Sequence, residues 1–318
     1  VADTQGQEGN GDLSSRLMTQ VMFALDKARE THQDSVWFYD MQLHEEEKRE
    51  NYIESHMHQA LEKGEFRLYL QPKMRLKDKK LAGAEALVRW VTEDGTMMFP
   101  GDFIPLFEKN SFCTRLDLYM MECACRHIRG WLERGIAPVP ISVNQTRLLF
   151  YEADYPEKLR ELVDRYEIPA GLITLEILEG LAVGNVEEMN EKISLLQKEG
   201  FRISMDDFGS GYSSLNILGA LNIDELKLDR AFLTEMAQGS NLRQKTVMEM
   251  VIALTGRLRI TTVAEGVETE EDERLIRELG FDMGQGYYYS RPVSAEQFDR
   301  RFMETGAKRG HENNAKDE

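Results

Sequence analysis

The run Ile203-Ser204-Met205-Asp206-Asp207 closes an apolar segment on two adjacent carboxylates, and Gly209, Ser210 and Gly211 follow. Neighbouring carboxylates at a strand end repel unless a cation lies between them. Glu85, Asn144 and Glu176 end comparable apolar runs elsewhere in the chain. Three carboxylates and an amide oxygen are hard ligands, suited to Mg²⁺ or Mn²⁺ rather than zinc. With Asp206 bridging two ions and Asp207 holding the second, the adjacent charges are neutralised. Two ions about 3.5–4 Å apart generate hydroxide and stabilise a phosphoryl transition state. Lys227, in DELKLDR, and Glu265, in TTVAEGVET, end two further runs. A lysine there orients a nucleophilic water or balances an oxyanion, and Glu265 acts as general base or as an acid of the metal shell. Arg89 offers a fork for phosphate or for a guanine edge.

Each of these residues also has an ordinary reading. A lone strand-end acid caps a helix or sits on a solvated rim, and Asn144 alone is a turn residue. Asp206-Asp207 alone caps the short helix that follows. Lys227 and Glu265 alone are surface ion-pair partners, Arg89 is a buried structural arginine, and the glycines form a turn that is flexible enough to approach a ligand. Five donors at five matching positions are harder to explain one at a time.

Positioning them requires elements that end at one rim. Apolar strand-like runs end near Gln71, Glu85, Asn144, Glu176, Asp206, Lys227, Glu265 and Gln285, and amphipathic helices are predicted at 115–134, 155–167, 187–199, 241–257 and 269–279. Eight strands alternating with helices over about 240 residues point to an α/β fold, a (β/α)₈ TIM-like barrel whose strand C-termini assemble the chemistry. An open doubly wound sheet is the rival. The first connection is too short and polar for a parallel crossover: Lys77-Asp78-Lys79-Lys80 lies between LYLQPKM and LAGAEALVRW, whereas a crossover needs about a dozen residues. A hairpin makes the first strand antiparallel and sets Gln71 opposite Glu85. Period-two alternation then puts Glu85, Leu87 and Arg89 on one face beside Gln71.

The rest of the chain reads as follows. Residues 1–12 and 307–318 are polar tails expected to be disordered. Leu13, Leu17, Val21, Leu25 and Ala28 repeat at helical spacing before the strand-like Val36-Trp37-Phe38-Tyr39. This 13–40 segment is too small to bury a core alone and reads as the tail of an upstream domain. Residues 41–63 form a charged linker helix with Ile53, Met57, Ala60 and Leu61 as its apolar stripe, and 64–306 form the barrel. From the start at Val1 and the polar, Gly-rich tail, the chain is expected to be a fragment of something longer.

Among 318 residues, 56 acidic against 39 basic side chains give a net charge of −17, which argues against binding a nucleic-acid polymer. The composition, with mean hydropathy −0.47, is that of a soluble protein. Cys113, Cys123 and Cys125 match no zinc spacing and fit a reduced, cytoplasmic compartment. Asn144-Gln145-Thr146 matches a glycosylation sequon, but no signal peptide or membrane segment accompanies it, and no direct membrane contact is expected of this fragment.

Nine ordered blocks carry a resemblance: YLQPKM, GAEALVRW, FPGDFIPLFEKN, SVNQT, TLEILEG, ISMDDFGSGYSSL, DELKLDRAF, TVAEGVETEED and GQGYYYSRP. Together they resemble the EAL domain family of cyclic di-GMP phosphodiesterases, which serve a bacterial second messenger, over roughly residues 50–305. The resemblance implies a barrel with an antiparallel first strand and two Mg²⁺ or Mn²⁺ ions on Glu85, Asn144, Glu176, Asp206 and Asp207, with Ca²⁺ inhibitory. It implies that Lys227 and Glu265 prepare the attacking water and that Gln71, Leu87, Arg89 and Gln285 touch cyclic di-GMP, which is opened to linear pGpG. Glu179 matches the glutamate that steadies the loop after Asp206-Asp207, and a homodimer through the barrel is the family habit. The segment RLMTQVMFALDKARETHQDSVWFYDMQ resembles the end of a GGDEF domain.

Two departures stand out. Leu178 replaces a threonine beside the loop support, and Phe107 replaces a small residue in FIPLFE. Neither removes a metal ligand. The alternative function is an inactive EAL domain that acts as a cyclic di-GMP receptor, and a pure interaction scaffold is a third class.

Overall fold

A computed structural model describes residues 18, 20–25, 41–182, 186–208, 215–229 and 242–304. The chain divides into two units, 1–63 and 64–318. In the first, a helix spans Met41–Glu62 and buries Ile53, Met57 and Ala60, three residues of the expected stripe. The strand expected at Val36–Tyr39 and the two chain tails lie outside the described residues, as does most of the 13–28 helix.

The second unit is built on ten strands. In chain order they are β1 (Phe66–Arg75), β2 (Leu81–Val91), β3 (Met97–Met98), β4 (Ile141–Gln145), β5 (Ile173–Leu178), β6 (Arg202–Phe208), β7 (Glu225–Leu228), β8 (Thr261–Ala264), β9 (Met283–Gly284) and β10 (Val293–Ser294). β1 pairs with both β2 and β9, closing eight strands into a barrel, while β3 and β10 add short antiparallel pairings outside the ring. β2 and β4 to β9 run parallel, and β1 is antiparallel to both neighbours. This is the expected TIM-like barrel with a reversed first strand; the open sheet is excluded.

The reversal begins in the turn. Lys79 adopts φ 55°, its amide donates to the Arg75 carbonyl at 2.9 Å, and the Asp78 carboxylate accepts from the Lys80 amide and from Arg75. A tight polar turn leaves no room for a crossover helix, and the hairpin sets Gln71 opposite Glu85 and Tyr69 opposite Leu87. Gln71 and Glu85 therefore lie mid-strand rather than at strand ends, because β1 and β2 run on well past the barrel rim.

Helices Cys113–Glu133, Tyr155–Arg165, Val186–Lys198, Leu242–Leu258 and Glu270–Leu279 form the outer layer, each within two residues of its expected bounds. Thr269 caps the last of these by accepting from the Asp272 amide, and Gly280 (φ 90°) closes it in the left-handed region. Phe107 is fully buried among Phe66, Trp90, Phe103 and Phe112, with ring centroids 4.7–6.3 Å from its own. It packs helix Pro100–Lys109 onto the hairpin, so the bulky residue in the FIPLFE block fills a core that aromatic pairing stabilises. The cysteines are free and lie on helix Cys113–Glu133.

Candidate active site

Inside the barrel, the Lys227 ammonium is the centre of the constellation. It lies 2.7 Å from Glu265 Oε1, 3.0 Å from Glu176 Oε2, 3.0 Å from Asp206 Oδ1 and 3.3 Å from Glu85 Oε2. Strands β2, β5, β6, β7 and the end of β8 each deliver one of these groups. Lys227, Glu176, Glu85 and Asp206 are buried, and Glu265 is half-buried. Asn144 is exposed at the end of β4, and its amide faces Glu85 at 3.4 Å.

Adjacent residues of a regular strand point to opposite faces, yet Asp206, Asp207 and Glu265 each offer a carboxylate oxygen within 4.8 Å of the others. The β6–β7 register explains this. Met205 pairs with Leu226 and Phe208 with Leu228, so β6 carries one more residue than β7 across this stretch. The extra residue makes a bulge, with Asp207 at φ 56°. Aspartate tolerates the left-handed region better than most residues, and the bulge re-aims its carboxylate toward the same mouth. The Asp207 amide donates to Asp206 Oδ1 at 2.9 Å, locking the pair.

On the opposite wall, Gln285 donates from Nε2 to Gln71 Oε1 at 3.1 Å and to Glu85 Oε2, and Gln71 donates to the Ser290 carbonyl. Two acceptors around one amide nitrogen fix which way Gln285 points, and its Oε1 is buried without a partner among the described residues. The loops after β8 and β9 are zipped together: Val267 donates to the Gln285 carbonyl, Gln285 to Ala264, and Tyr288 to Val267. Gly286 permits this approach, since a Cβ there would lie 2.1 Å from the Val267 oxygen. A cavity of about 270 Å³ opens beside these residues, lined by Gln71, Glu85, Leu87, Glu265, Gln285 and Tyr287 among others. Arg89 lies between the rings of Tyr69 and Phe99, 5.6 and 5.3 Å from their centroids, and donates to the Val88 carbonyl.

Protonation follows burial and charge. Burial pushes Glu85 and Asp206 above the ordinary carboxylate range, against the pull of Lys227. Asp207 is raised by burial and by the nearby Asp229. Glu265 is pushed up to about 8 by burial, with Lys227 opposing. Burial acts on Glu176 in the same direction, but Lys227 and Lys73 outweigh it and hold the group at about 2. The contrast with Glu85 is physical: Glu176 touches two ammonium groups and Glu85 only one. Burial also works against the charge of Lys227, and the surrounding carboxylates hold it well above the usual lysine range.

The donor set fits divalent cations. Six carboxylates, of Glu85, Glu176, Asp206, Asp207, Glu225 and Glu265, face the ammonium groups of Lys227 and Lys73, which leaves a formal excess of four negative charges in a largely buried space. Hard oxygens with such an excess are what Mg²⁺ or Mn²⁺ requires. Sequence reasoning placed Glu265 in this neighbourhood but missed the bulge, the Lys73–Glu225 pair, and the wall residues Gly266, Glu268, Gly286 and Tyr287. The period-two pattern signalled Glu225, two residues before Lys227 on the same strand.

Residues 54–292 match the EAL domain family. The chain belongs to that family. It is 32% identical over 289 residues to the bifunctional diguanylate cyclase/cyclic di-GMP phosphodiesterase MucR of Pseudomonas aeruginosa, covering 91% of this chain and 42% of that protein. The cyclic di-GMP phosphodiesterase NbdA of the same organism is 29% identical, with 92% of this chain and 38% of that protein covered. The chain thus spans about two-fifths of the length of these relatives. The solved MucR phosphodiesterase in complex with cyclic di-GMP superimposes with a TM-score of 0.72 at 34% identity, covering 78% of this chain and 99% of that one. An EAL domain protein from Listeria monocytogenes gives 0.68 at 28% identity, with 78% and 97% covered. Among the described residues, no helix is long and apolar enough to cross a membrane. Glu179 of this EAL domain is buried, Leu178 is exposed, and the loop at 209–214 that Glu179 was expected to steady lies outside the described residues.

Proposed function

We propose that the chain is an active, metal-dependent phosphodiesterase that hydrolyses one phosphodiester of cyclic di-GMP to give linear pGpG. The observation that carries this reading is the convergence of Glu85, Glu176, Asp206 and Glu265, delivered by four strands, on Lys227 of a fifth, with Asp207 turned into the same mouth. Glu85, Asn144, Glu176, Asp206 and Asp207 would hold Mg²⁺ or Mn²⁺, which when bound supplies charge neutralisation and a more acidic water.

The chain's own groups do the rest. Glu265, pushed up to about 8, keeps its proton near neutral pH in the metal-free chain, and divalent charge nearby would favour the carboxylate form that a general base needs. Glu265 Oε1 is held 2.7 Å from Lys227, whose fixed positive charge would balance the developing oxyanion. Gln285 keeps one buried acceptor free for a donor such as a guanine N–H. Gln71 and Leu87 line the cavity, and Arg89, two residues beyond Leu87 on β2, is pre-ordered by two rings for a phosphate or a guanine edge. Three unpaired cysteines, two of them buried, suit a cytoplasmic setting. The double activity in MucR's name supports reading residues 13–40 as the end of an upstream GGDEF domain.

Incubation with cyclic di-GMP and Mn²⁺, followed by chromatography, tests the proposal. Conversion to pGpG in Mn²⁺, with binding but no cleavage in Ca²⁺, is expected. Binding without cleavage in every metal would make the chain a receptor instead.

A further inference from the structure

Beneath the residues that face the mouth lies a second polar layer. Ser142, Ser204 and Glu225 stand two residues before Asn144, Asp206 and Lys227 on their strands, and Lys73 stands two beyond Gln71 on the reversed β1. Period two puts each of them on the inner face, one step deeper. All four are buried. Branched apolar side chains ordinarily fill such a barrel layer, so a lysine–glutamate pair in this place needs a reason. Stability is a weak one, because desolvation offsets most of the attraction in a buried ion pair.

The geometry supplies the reason. Lys73 Nζ donates to Ser142 Oγ at 2.7 Å, Glu225 Oε1 at 2.7 Å and Glu176 Oε1 at 2.9 Å. An ammonium has three N–H donors, so all of its donors are spent and none is left for a ligand. Ser204 donates to the same Glu225 oxygen at 3.0 Å, fixing that carboxylate from the far side. Glu176 is thereby split: Oε1 is tied down to Lys73, and Oε2 is turned up to Lys227 at 3.0 Å. Without Lys73, the carboxylate is free to rotate and meet Lys227 with either oxygen.

We infer that Lys73 is a positioning residue, which clamps one oxygen of Glu176 from below so that the other is presented to the cation site. This inference rests on the phosphodiesterase reading. Groups that orient a metal ligand through hydrogen bonds typically change metal affinity by about 10–100-fold when removed. Among the groups proposed to hold the cations, Lys73 touches Glu176, and it touches neither Gln71 nor Gln285, so its loss should affect cation binding and leave the nucleotide contacts untouched.

The test compares the unaltered chain with Lys73→Met and with Lys73→Met/Glu225→Met, which removes both charges together and so avoids leaving Glu225 unpaired if the single variant fails to fold. Mn²⁺ binding is read directly by electron paramagnetic resonance of the free ion, beside thermal melting and kinetics. Mn²⁺ affinity is expected to fall by about 10–100-fold in variants that still melt cooperatively, with KM for cyclic di-GMP unchanged at saturating Mn²⁺. Affinity within twofold of the unaltered chain in a folded variant overturns the inference and leaves Lys73 a structural residue. Absence of Mn²⁺ binding by the unaltered chain overturns the metal reading and this inference with it.

Discussion

Asp206 and Asp207 turn their carboxylates to the same side of the barrel because Asp207 sits at φ 56° in a bulge of β6, where β7 has one residue fewer. Two adjacent acids thus face one mouth. A regular strand would have sent Asp207 into the outer layer.

Asp207→Asn keeps a side chain that tolerates the left-handed region while removing its charge. It should melt like the unaltered chain and lose most of its hydrolytic activity. Asp207→Val, which is β-branched, should lose stability on the order of 1–3 kcal/mol as well. Equal denaturant midpoints for the two variants would contradict the bulge as the cause of the arrangement.

Glu85 receives the Gln285 amide, faces Asn144 and pairs with Lys227. Glu85→Ala should abolish hydrolysis, a loss of at least about 10²-fold if a metal-holding group is removed. Full residual activity, measured as pGpG formed per chain, would remove Glu85 from the mechanism.

The raised acids make a specific claim about pH. Glu265 titrates at about 8 in the folded chain against an ordinary 4.5, so the native state keeps a proton that the unfolded chain has lost. The stability linked to it is full below the unfolded value and is lost as pH rises through about 8. Glu85 and Asp206 shift the same way, whereas the contribution of Glu176, held at about 2, is present above the ordinary carboxylate range and is lost only in acid. In chelator-treated protein the melting temperature should therefore fall between about pH 5 and pH 8.5. Glu265→Gln should flatten that slope, and an unchanged slope in the variant would assign the titration elsewhere.

Glu179 is buried directly after β5, the strand that carries Glu176. Glu179→Ala should impair turnover more than folding, read by nucleotide assay beside thermal melting. Proportionate losses in both would make it a stability residue.

Much of this was legible in the sequence because barrels write themselves in alternation. The hairpin followed from the short, charged connection at 75–80, six residues that cannot make a crossover, and with it came the Gln71–Glu85 register. Glu85, Glu176 and Asp206 declared themselves as acids closing apolar runs on three different strands, although Glu85 lies mid-strand. Three things were hidden. The bulge was invisible because Asp206-Asp207-Phe208 reads equally well as a regular strand, and only pairing with β7 exposes the extra residue. Lys73, Ser142 and Ser204 were passed over because a polar residue two positions inside a strand resembles a surface residue until the barrel closes around it. The clasp between Val267 and Gly286 depends on two loops approaching within a backbone's width, which no local pattern reports. Phe107 looked like a departure that could disturb the site, yet it belongs to the aromatic core outside the barrel mouth.

The central claim is that oxygens from separate strands hold divalent cations at one mouth. Counting Mn²⁺ bound per chain at equilibrium, in the presence of cyclic di-GMP and with the Asp206→Ala variant beside it, tests this most directly. The account predicts two saturable ions in the unaltered chain and a loss of binding in the variant. Hydrolysis that proceeds with no saturable Mn²⁺, or ions that bind equally well without Asp206, would contradict it.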